Sequence, residues 1–228
     1  MADADAGLGG ALAAVCDALQ ASLTAEAIPT EHYLSVFHQL STFLRSLGSA
    51  MVFVVKDLDS KIGVLEKLAT DAPDTHSNLQ TIVKHELDTD PTLRTRKKNP
   101  PSASRTILRL HRVLQFINVL LKDLLDAPAD KSGHSIVSDA YGATLSHHHA
   151  WLVRKGAQAA FYALPGRAGL VATVAAQVVK DASPAGSKKD IDVTPQVRDA
   201  TLKVLQILGS VHATVENLYT DNDLHDLL

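Results

Sequence analysis

The stretch SRTILRLHRVLQFINVLLKDLLD, residues 104–126, decides the fold. Arg105, Arg109 and Arg112 recur at spacings of four and three, so an α-helix places their guanidinium groups on one stripe. Two interpretations of these arginines are open from the helix alone. Their long side chains could reach water across apolar surface, or they could converge on an anionic headgroup whose hydrocarbon tail enters the core. The later turns are strongly apolar, with Phe116, Ile117, Val119, Leu120, Leu121, Leu124 and Leu125.

Apolar residues at spacings of three and four continue along most of the chain. Further helices are therefore predicted over residues 8–24, 31–46, 49–70, 77–88, 135–148, 150–163, 167–180 and 194–219. Within the helix predicted over residues 49–70, a strand over residues 52–55 is the alternative, because that segment is rich in β-branched side chains. Strands and helices do not alternate. The sequence predicts a single all-α domain over residues 1–228, with eight or nine helices and surface loops at 89–103 and 181–193.

Composition limits the possible functions. The 228 residues carry 22 Lys and Arg against 25 Asp and Glu, a net charge of −3, so there is no overall positive field to hold nucleic acid. The single cysteine, Cys16, excludes an intramolecular disulfide and favours a reducing, cytosolic compartment. The N-terminal residues are acidic where a signal peptide is basic, and no apolar run reaches the roughly 18 residues of a membrane span. We therefore expect a cytosolic protein that touches membranes only transiently and from outside.

Asp57 and Lys61 stand four residues apart on the predicted helix 49–70. An acid four residues before a lysine is ordinarily a surface ion pair worth about 0.2–0.5 kcal/mol. This pair, however, lies at the edge of an apolar stripe, where the mouth of a pocket would be. The stripe consists of Val54, Leu58, Ile62 and Leu65.

A basic run precedes and overlaps the helix quoted first. It contains no acid, and its cations are Arg94, Arg96, Lys97, Lys98, Arg105, Arg109 and Arg112. A nucleic-acid patch is one interpretation, but no aromatic residue interleaves with the charges, as stacking on single strands requires. Arginine on a rigid helix suits phosphate, because its planar fork donates paired hydrogen bonds.

Three adjacent histidines, residues 147–149, precede Trp151. They point in different directions on a helix, so no metal site is predicted. One of them, entering beside Trp151, could donate a hydrogen bond to a ligand carbonyl; a surface position is the alternative. No nucleophile elbow, phosphate-cradling glycine loop or HExxH motif occurs. These absences favour a binding protein over an enzyme, with no cofactor.

Three segments carry a resemblance to a known family. KDLDSKIGVLEKL (residues 56–68), SRTILRLHRVLQFINVLL (104–121) and AYGATLSHHHAWLVRKGAQAAFYALPGR (140–167) are similar, in this order, to signature segments of the glycolipid transfer protein superfamily. The ceramide-1-phosphate transfer branch, with its plant cell-death-regulating relatives, is the most similar. The resemblance implies a two-layer all-α sandwich that holds lipid chains between its layers and binds the headgroup at the surface.

The resemblance also assigns roles to residues. Asp57 matches the acid that accepts a hydrogen bond from the N–H of the sphingoid amide. His149, in an H-x-W segment, matches the histidine that donates a hydrogen bond to the acyl amide oxygen. Lys61, Arg105 and Arg109 match cations on the headgroup. Arg112 also falls at a basic position, with its role undecided between ligand contact and support of Asp57. Ala150 departs from the family, where Gly or Pro is frequent.

The headgroup class follows from two positions. Sugar-binding members carry Trp at the position of Arg109 and Asn at that of Lys61, whereas both are cations here. Charge-assisted hydrogen bonds favour phosphate. The implied function is transfer of a phosphosphingolipid between membranes by a monomer; the alternative is a sensor or scaffold that binds the same lipid without net transport. Trp151 and Leu152 could insert into the membrane interface, or Trp151 could brace the core.

Overall fold

The computed structural model describes residues 10–23, 27–48, 51–95, 102–179 and 193–227. This part of the chain forms nine α-helices and a short 3-10 helix, Leu145–His148. The α-helices are α1 (Ala11–Ser22), α2 (Thr30–Ser46), α3 (Val52–Asp71), α4 (Leu79–Thr89), α5 (Ala103–Asp126), α6 (Gly133–Ala143), α7 (Trp151–Phe161), α8 (Arg167–Val178) and α9 (Pro195–Asp221).

Helix α5 is the centre of the packing. It contacts α3, α4, α6, α8 and α9 as well as the 3-10 helix, which explains why its apolar residues surround most of its circumference. Helices α1, α2 and α3 pack in sequence, and α1 also meets α8 and α9. One hydrophobic core contains residues from all nine of these helices. In the described part of the chain, no helix is both long and apolar enough to cross a membrane.

The predicted helices are confirmed, with two informative differences. Residues 52–55 belong to α3, so the alternative strand is wrong. The single helix predicted over 135–148 is interrupted at Thr144, whose backbone leaves the helical region with φ −131° and ψ −95°. The Thr144 hydroxyl donates to the carbonyl of Ala140 at 2.7 Å, and such bonds compete with regular helix geometry. The chain then continues as the 3-10 helix and reaches His149 in extended conformation.

The start of α5 is held by an acid from α4. The Glu86 carboxylate accepts from the Ser102 hydroxyl at 2.9 Å, the Ala103 N–H at 2.7 Å and the Ser104 N–H at 2.9 Å. The Ser102 side chain itself caps the helix by accepting from the Arg105 N–H. A carboxylate at a helix N-terminus satisfies N–H groups that lack helical partners and complements the helix dipole. Glu86 therefore fixes the first turn of α5.

Replacing Glu86 by glutamine is expected to lower the free energy of unfolding by about 2 kcal/mol, because three hydrogen bonds to a charged acceptor are weakened. For a chain of this size that corresponds to a loss of about 4–8 °C in Tm. Thermal denaturation followed by circular dichroism measures the change. Asp88→Asn, at an exposed position of the same helix, is the control; equal effects of the two substitutions would contradict the capping role.

The predicted surface loops fall mostly outside the described residues. This applies to 96–101 and 180–192, and hence to Arg96, Lys97 and Lys98 of the basic run. Arg94 is described and exposed, and its Nη2 donates to the carbonyl of Asn222 at 2.7 Å. One member of the basic run thus contacts the end of the chain.

Candidate functional site

Asp57 and Lys61 form an ion pair in the first half of α3. The Lys61 ammonium contacts the Asp57 carboxylate, and it also approaches the Asp57 carbonyl at 3.4 Å. The lysine side chain is only 14% exposed, whereas the aspartate side chain is 67% exposed. Beneath the pair, Leu58, Ile62 and Leu65 are buried. The carboxylate therefore faces solvent at the edge of an apolar face, as the sequence predicts.

His149 lies close to this pair although it is far away in the sequence. Burial lowers the pKa of His149, the charge of Asp57 raises it, and the charges of Lys61 and Arg112 lower it further. The charges of Asp57, Lys61 and Arg112 thus lie close enough to His149 to influence its imidazole. His149 is half-buried, and the net lowering of its pKa keeps the imidazole neutral at neutral pH.

Tyr141 orients the imidazole of His149. The Tyr141 hydroxyl and His149 Nδ1 are 2.8 Å apart, and Tyr141 itself is buried. When the hydroxyl donates to Nδ1, the proton of the neutral ring stays on Nε2, which can then donate to a ligand. Sequence reasoning missed Tyr141, because its distance from His149 depends on the break at Thr144. Ala150 follows His149 with φ −60°, a value that proline also adopts, so the alanine keeps the usual backbone path.

Two arginines of α5 complete what we call the charged cluster, which consists of Asp57, Lys61, Arg109, Arg112 and His149. Arg109 is exposed, and within the described residues its guanidinium has no hydrogen-bond or ion-pair partner. Arg112 is half-buried and donates through Nη2 to the carbonyl of His225 at 3.0 Å. Burial and then the charge of Arg109 lower the pKa of Arg112. Arg112 thus holds the C-terminal segment, while Arg109 remains available to a ligand.

Arg105 differs from the other two arginines of its stripe. It is 6% exposed, and its Nη2 donates to the carbonyl of Leu93 at 2.6 Å. Its guanidinium therefore lies beneath the surface and fixes the turn that follows α4. Charge placed there still favours an anion bound above it, but the residue also has a structural task.

An apolar crevice runs through the interior between α1, α2, α5 and α8. It is too narrow to admit a water molecule. At one end the backbones of α1 and α8 approach so closely that a Cβ atom on Gly10 would meet the carbonyl oxygen of Gln177 at 2.0 Å. The crevice is lined by Leu12, Leu40, Phe43, Ile117, Leu121, Val174, Gln177 and Val178.

Large apolar side chains are exposed near members of the charged cluster in the sequence. Trp151 and Leu152, in the first turn of α7, are 64% and 74% exposed, so the interpretation of Trp151 as a core residue is wrong. Phe53, one turn before Asp57 on α3, is 85% exposed. Sequence reasoning missed Phe53, although its position off the buried stripe of α3 was a usable signal. These three side chains therefore present apolar surface on the same helix as Asp57 and just after His149.

Known proteins with similar sequences indicate the family to which this architecture belongs. The family model described as glycolipid transfer protein matches residues 28–176. Among curated relatives, ceramide-1-phosphate transfer protein of Danio rerio is 34% identical over 199 residues, which are 86% of this chain and 87% of the relative. Residues 28–176, which the family model matches, contain α2 to α7 and thus the whole charged cluster.

Solved structures agree on the fold. Human ceramide-1-phosphate transfer protein in complex with 12:0 ceramide-1-phosphate superposes with a TM-score of 0.80 at 28% identity, over 97% of this chain and 100% of the other. The apo form of the Arabidopsis accelerated-cell-death 11 protein, at 18% identity and a TM-score of 0.69 over 92% and 96% of the two chains, shares the fold. The all-α two-layer sandwich expected from the three sequence segments is therefore confirmed. The chain belongs to the glycolipid transfer protein family.

Proposed function

We propose that this protein carries a phosphosphingolipid, ceramide-1-phosphate or a close analogue, from one membrane to another through water. The observation that carries the proposal is the charged cluster. Its exposed Asp57 carboxylate pairs with Lys61, and the charges of Asp57, Lys61 and Arg112 all act on the neutral His149. Arg109 is close enough to lower the pKa of Arg112. A phosphosphingolipid presents the complementary set: an amide next to a doubly charged phosphate. The relatives named ceramide-1-phosphate transfer protein support the same ligand class.

Asp57 and His149 are assigned to the amide. The exposed Asp57 carboxylate accepts from the amide N–H, and His149 donates from Nε2 to the amide oxygen, with Tyr141 bonded to Nδ1. A glycerolipid has ester oxygens and no amide N–H, so it would add no donor to the one that Lys61 already supplies to the carboxylate. Because a hydrogen bond to a charged acceptor is worth about 1.5–3 kcal/mol, the amide N–H of a sphingolipid would give it the advantage at this pair.

Lys61, Arg105 and Arg109 are assigned to the phosphate. Arg109 is exposed, and its fork of donors is unpaired among the residues that the structure describes, which suits a bidentate bond to phosphate oxygens. The Lys61 ammonium already contacts the Asp57 carboxylate, so it would donate to both this carboxylate and the phosphate. Arg105 contributes positive charge from below, held by Leu93.

The apolar crevice is assigned to the hydrocarbon chains. In the present conformation it holds no space for them, so α1 and α8 must move apart when lipid enters. Each buried CH₂ group contributes about 0.8 kcal/mol, and long chains therefore supply enough free energy to separate two packed helices. The close approach of Gly10 to Gln177 lies at one end of the α1–α8 contact that would open.

The exposed residues Phe53, Trp151 and Leu152 are assigned to membrane contact. Phe53 lies one turn before Asp57 on α3, and Trp151 follows His149 by two residues, so a membrane bound to them would bring lipid headgroups close to the charged cluster. Aromatic rings are enriched at membrane–water interfaces, where they bury an apolar body at the headgroup level.

Replacing both Phe53 and Trp151 by alanine is expected to lower binding to vesicles by about tenfold, which corresponds to about 1.4 kcal/mol of lost apolar burial. Vesicle co-sedimentation measures the binding. Tyr162→Ala removes an equally exposed aromatic ring, 76% exposed, from the far end of α7 and serves as the control. Membrane contact through this surface is refuted if the double variant sediments with vesicles as well as the Tyr162 variant does.

Transfer between vesicles tests the function itself. Fluorescent ceramide-1-phosphate in donor vesicles should appear in acceptor vesicles in proportion to the protein added, whereas a fluorescent glucosylceramide should move at background rate. Binding without movement would favour the sensor or scaffold and contradict transport. Movement of the sugar lipid at the same rate would contradict the headgroup assignment.

A further inference from the structure

A second polar cluster lies where α5 packs against α9. His111 of α5 is 4% exposed, and His212 and Glu216 stand four residues apart on one face of α9. His111 Nε2 and Glu216 Oε2 are 2.7 Å apart, and the rings of His111 and His212 stack with centroids 4.2 Å apart. One potential ligand atom from each of the three residues lies within 4.8 Å of the other two. Their spacing is small enough for one metal ion to draw them together.

Two polar atoms in this cluster lack a hydrogen-bond partner among the residues that the structure describes. They are His111 Nδ1 and His212 Nε2, both buried, and such atoms are uncommon in folded proteins.

We propose that His111, His212 and Glu216 bind one zinc ion, with water at the fourth position. Two imidazoles and one carboxylate form a zinc ligand set, whereas calcium and magnesium prefer sites made of oxygen. The Glu216 side chain is 46% exposed, so an ion can enter along it. His225 Nε2 lies 3.6 Å from Glu216 Oε1 but is engaged with the Thr220 hydroxyl at 3.0 Å, and so it remains outside the ligand set.

Zinc in this position would link two helices next to the charged cluster. His111 is the neighbour of Arg112, which holds the carbonyl of His225. An ion that ties His111 to α9 therefore stabilises the base of the headgroup site together with the C-terminal segment. The sequence predicts no metal site, because His111 is separated from Glu216 by 105 residues and no local spacing connects them.

Cobalt titration of the full chain tests the site. Protein without a polyhistidine tag, stripped with a chelator, is expected to bind one equivalent of Co²⁺ with the strong visible absorption of tetrahedral coordination, and Zn²⁺ is expected to abolish that absorption. Zn²⁺ should also raise the Tm. His212→Gln and Glu216→Gln should each weaken binding by at least about tenfold, since loss of an outer-sphere partner alone costs about 10–100-fold. Circular dichroism shows that each variant remains folded.

Two control variants make the result specific. His38→Gln alters a surface pair, His38 with Glu66 at 2.8 Å. Among the described residues this pair has no third potential ligand, so the variant should bind Co²⁺ like the parent protein. His147→Gln alters the run of three histidines and should also bind normally. The proposal is overturned if the parent protein binds no metal, if both α9 variants bind as tightly as the parent, or if His147→Gln removes the binding.

Discussion

Replacing Arg109 by leucine is expected to lower the rate of ceramide-1-phosphate transfer by at least about tenfold while the protein stays folded. Arg109 is exposed and has no partner within the described residues, so its loss removes no intramolecular bond. A hydrogen bond to a charged group is worth about 1.5–3 kcal/mol, and about 1.4 kcal/mol is a factor of ten. Fluorescent transfer between vesicles measures the rate, and thermal denaturation confirms the fold.

Lys122→Leu is the matched control for Arg109→Leu. Lys122 is an exposed cation on the same helix, and its replacement changes the net charge equally. Arg109→Lys should fall between the parent and the leucine variant, because lysine keeps the charge but lacks the planar fork. Undiminished transfer by Arg109→Leu, or an equal loss in Lys122→Leu, would show that Arg109 does not grip the phosphate.

Arg105 would make a weaker test of the same site, because it has two tasks. Its guanidinium is buried and bonded to the Leu93 carbonyl. Substitution there would leave that carbonyl without its donor and would create space in the core, so the protein would lose stability together with any ligand contact. A lower transfer rate could then not be attributed to the headgroup.

Most of the fold could be predicted from the sequence because its signal is local. Apolar residues at helical spacing define α2, α3 and α5 to within three residues at either end. The break at Thr144 could not be predicted, because it depends on a hydroxyl bond back to Ala140 and threonine is tolerated inside many helices. That break matters for the proposed amide site, since it brings His149 out of the helix and up to Tyr141.

The site could be predicted only where its residues are neighbours in the sequence or match a family segment. Asp57 and Lys61 are four apart, and His149 and Trp151 belong to one short segment. Glu86 at the start of α5 has no local signature, since its partners lie on another helix. The sequence leaves open whether Arg112 contacts ligand or supports Asp57. In the structure Arg112 is bonded to the C-terminal segment, a long-range contact that no sequence spacing could indicate.

Replacing Asp57 by valine is expected to remove the preference for sphingolipids. The Asp57 carboxylate is the proposed acceptor for the amide N–H, a charge-assisted bond worth about 1.5–3 kcal/mol. Transfer of ceramide-1-phosphate should therefore fall at least about tenfold relative to phosphatidic acid, which carries the same phosphate without an amide. The charge of Asp57 raises the pKa of His149, so its removal lowers that pKa and leaves the imidazole neutral. The expected effect is thus a lost acceptor and not a change in the protonation of His149.

Competition between the two lipids in one vesicle assay gives the ratio directly. Asp71→Val is the control, because Asp71 also pairs with a lysine four residues away on α3, Lys67 at 2.8 Å, and is exposed. Asp57→Asn should lose most of the preference as well, since an amide oxygen is a weaker acceptor than a carboxylate. Removal of Asp57 also releases the ammonium of Lys61 towards phosphate, so transfer of phosphatidic acid should persist or rise. An unchanged ratio in Asp57→Val would show that another residue reads the amide.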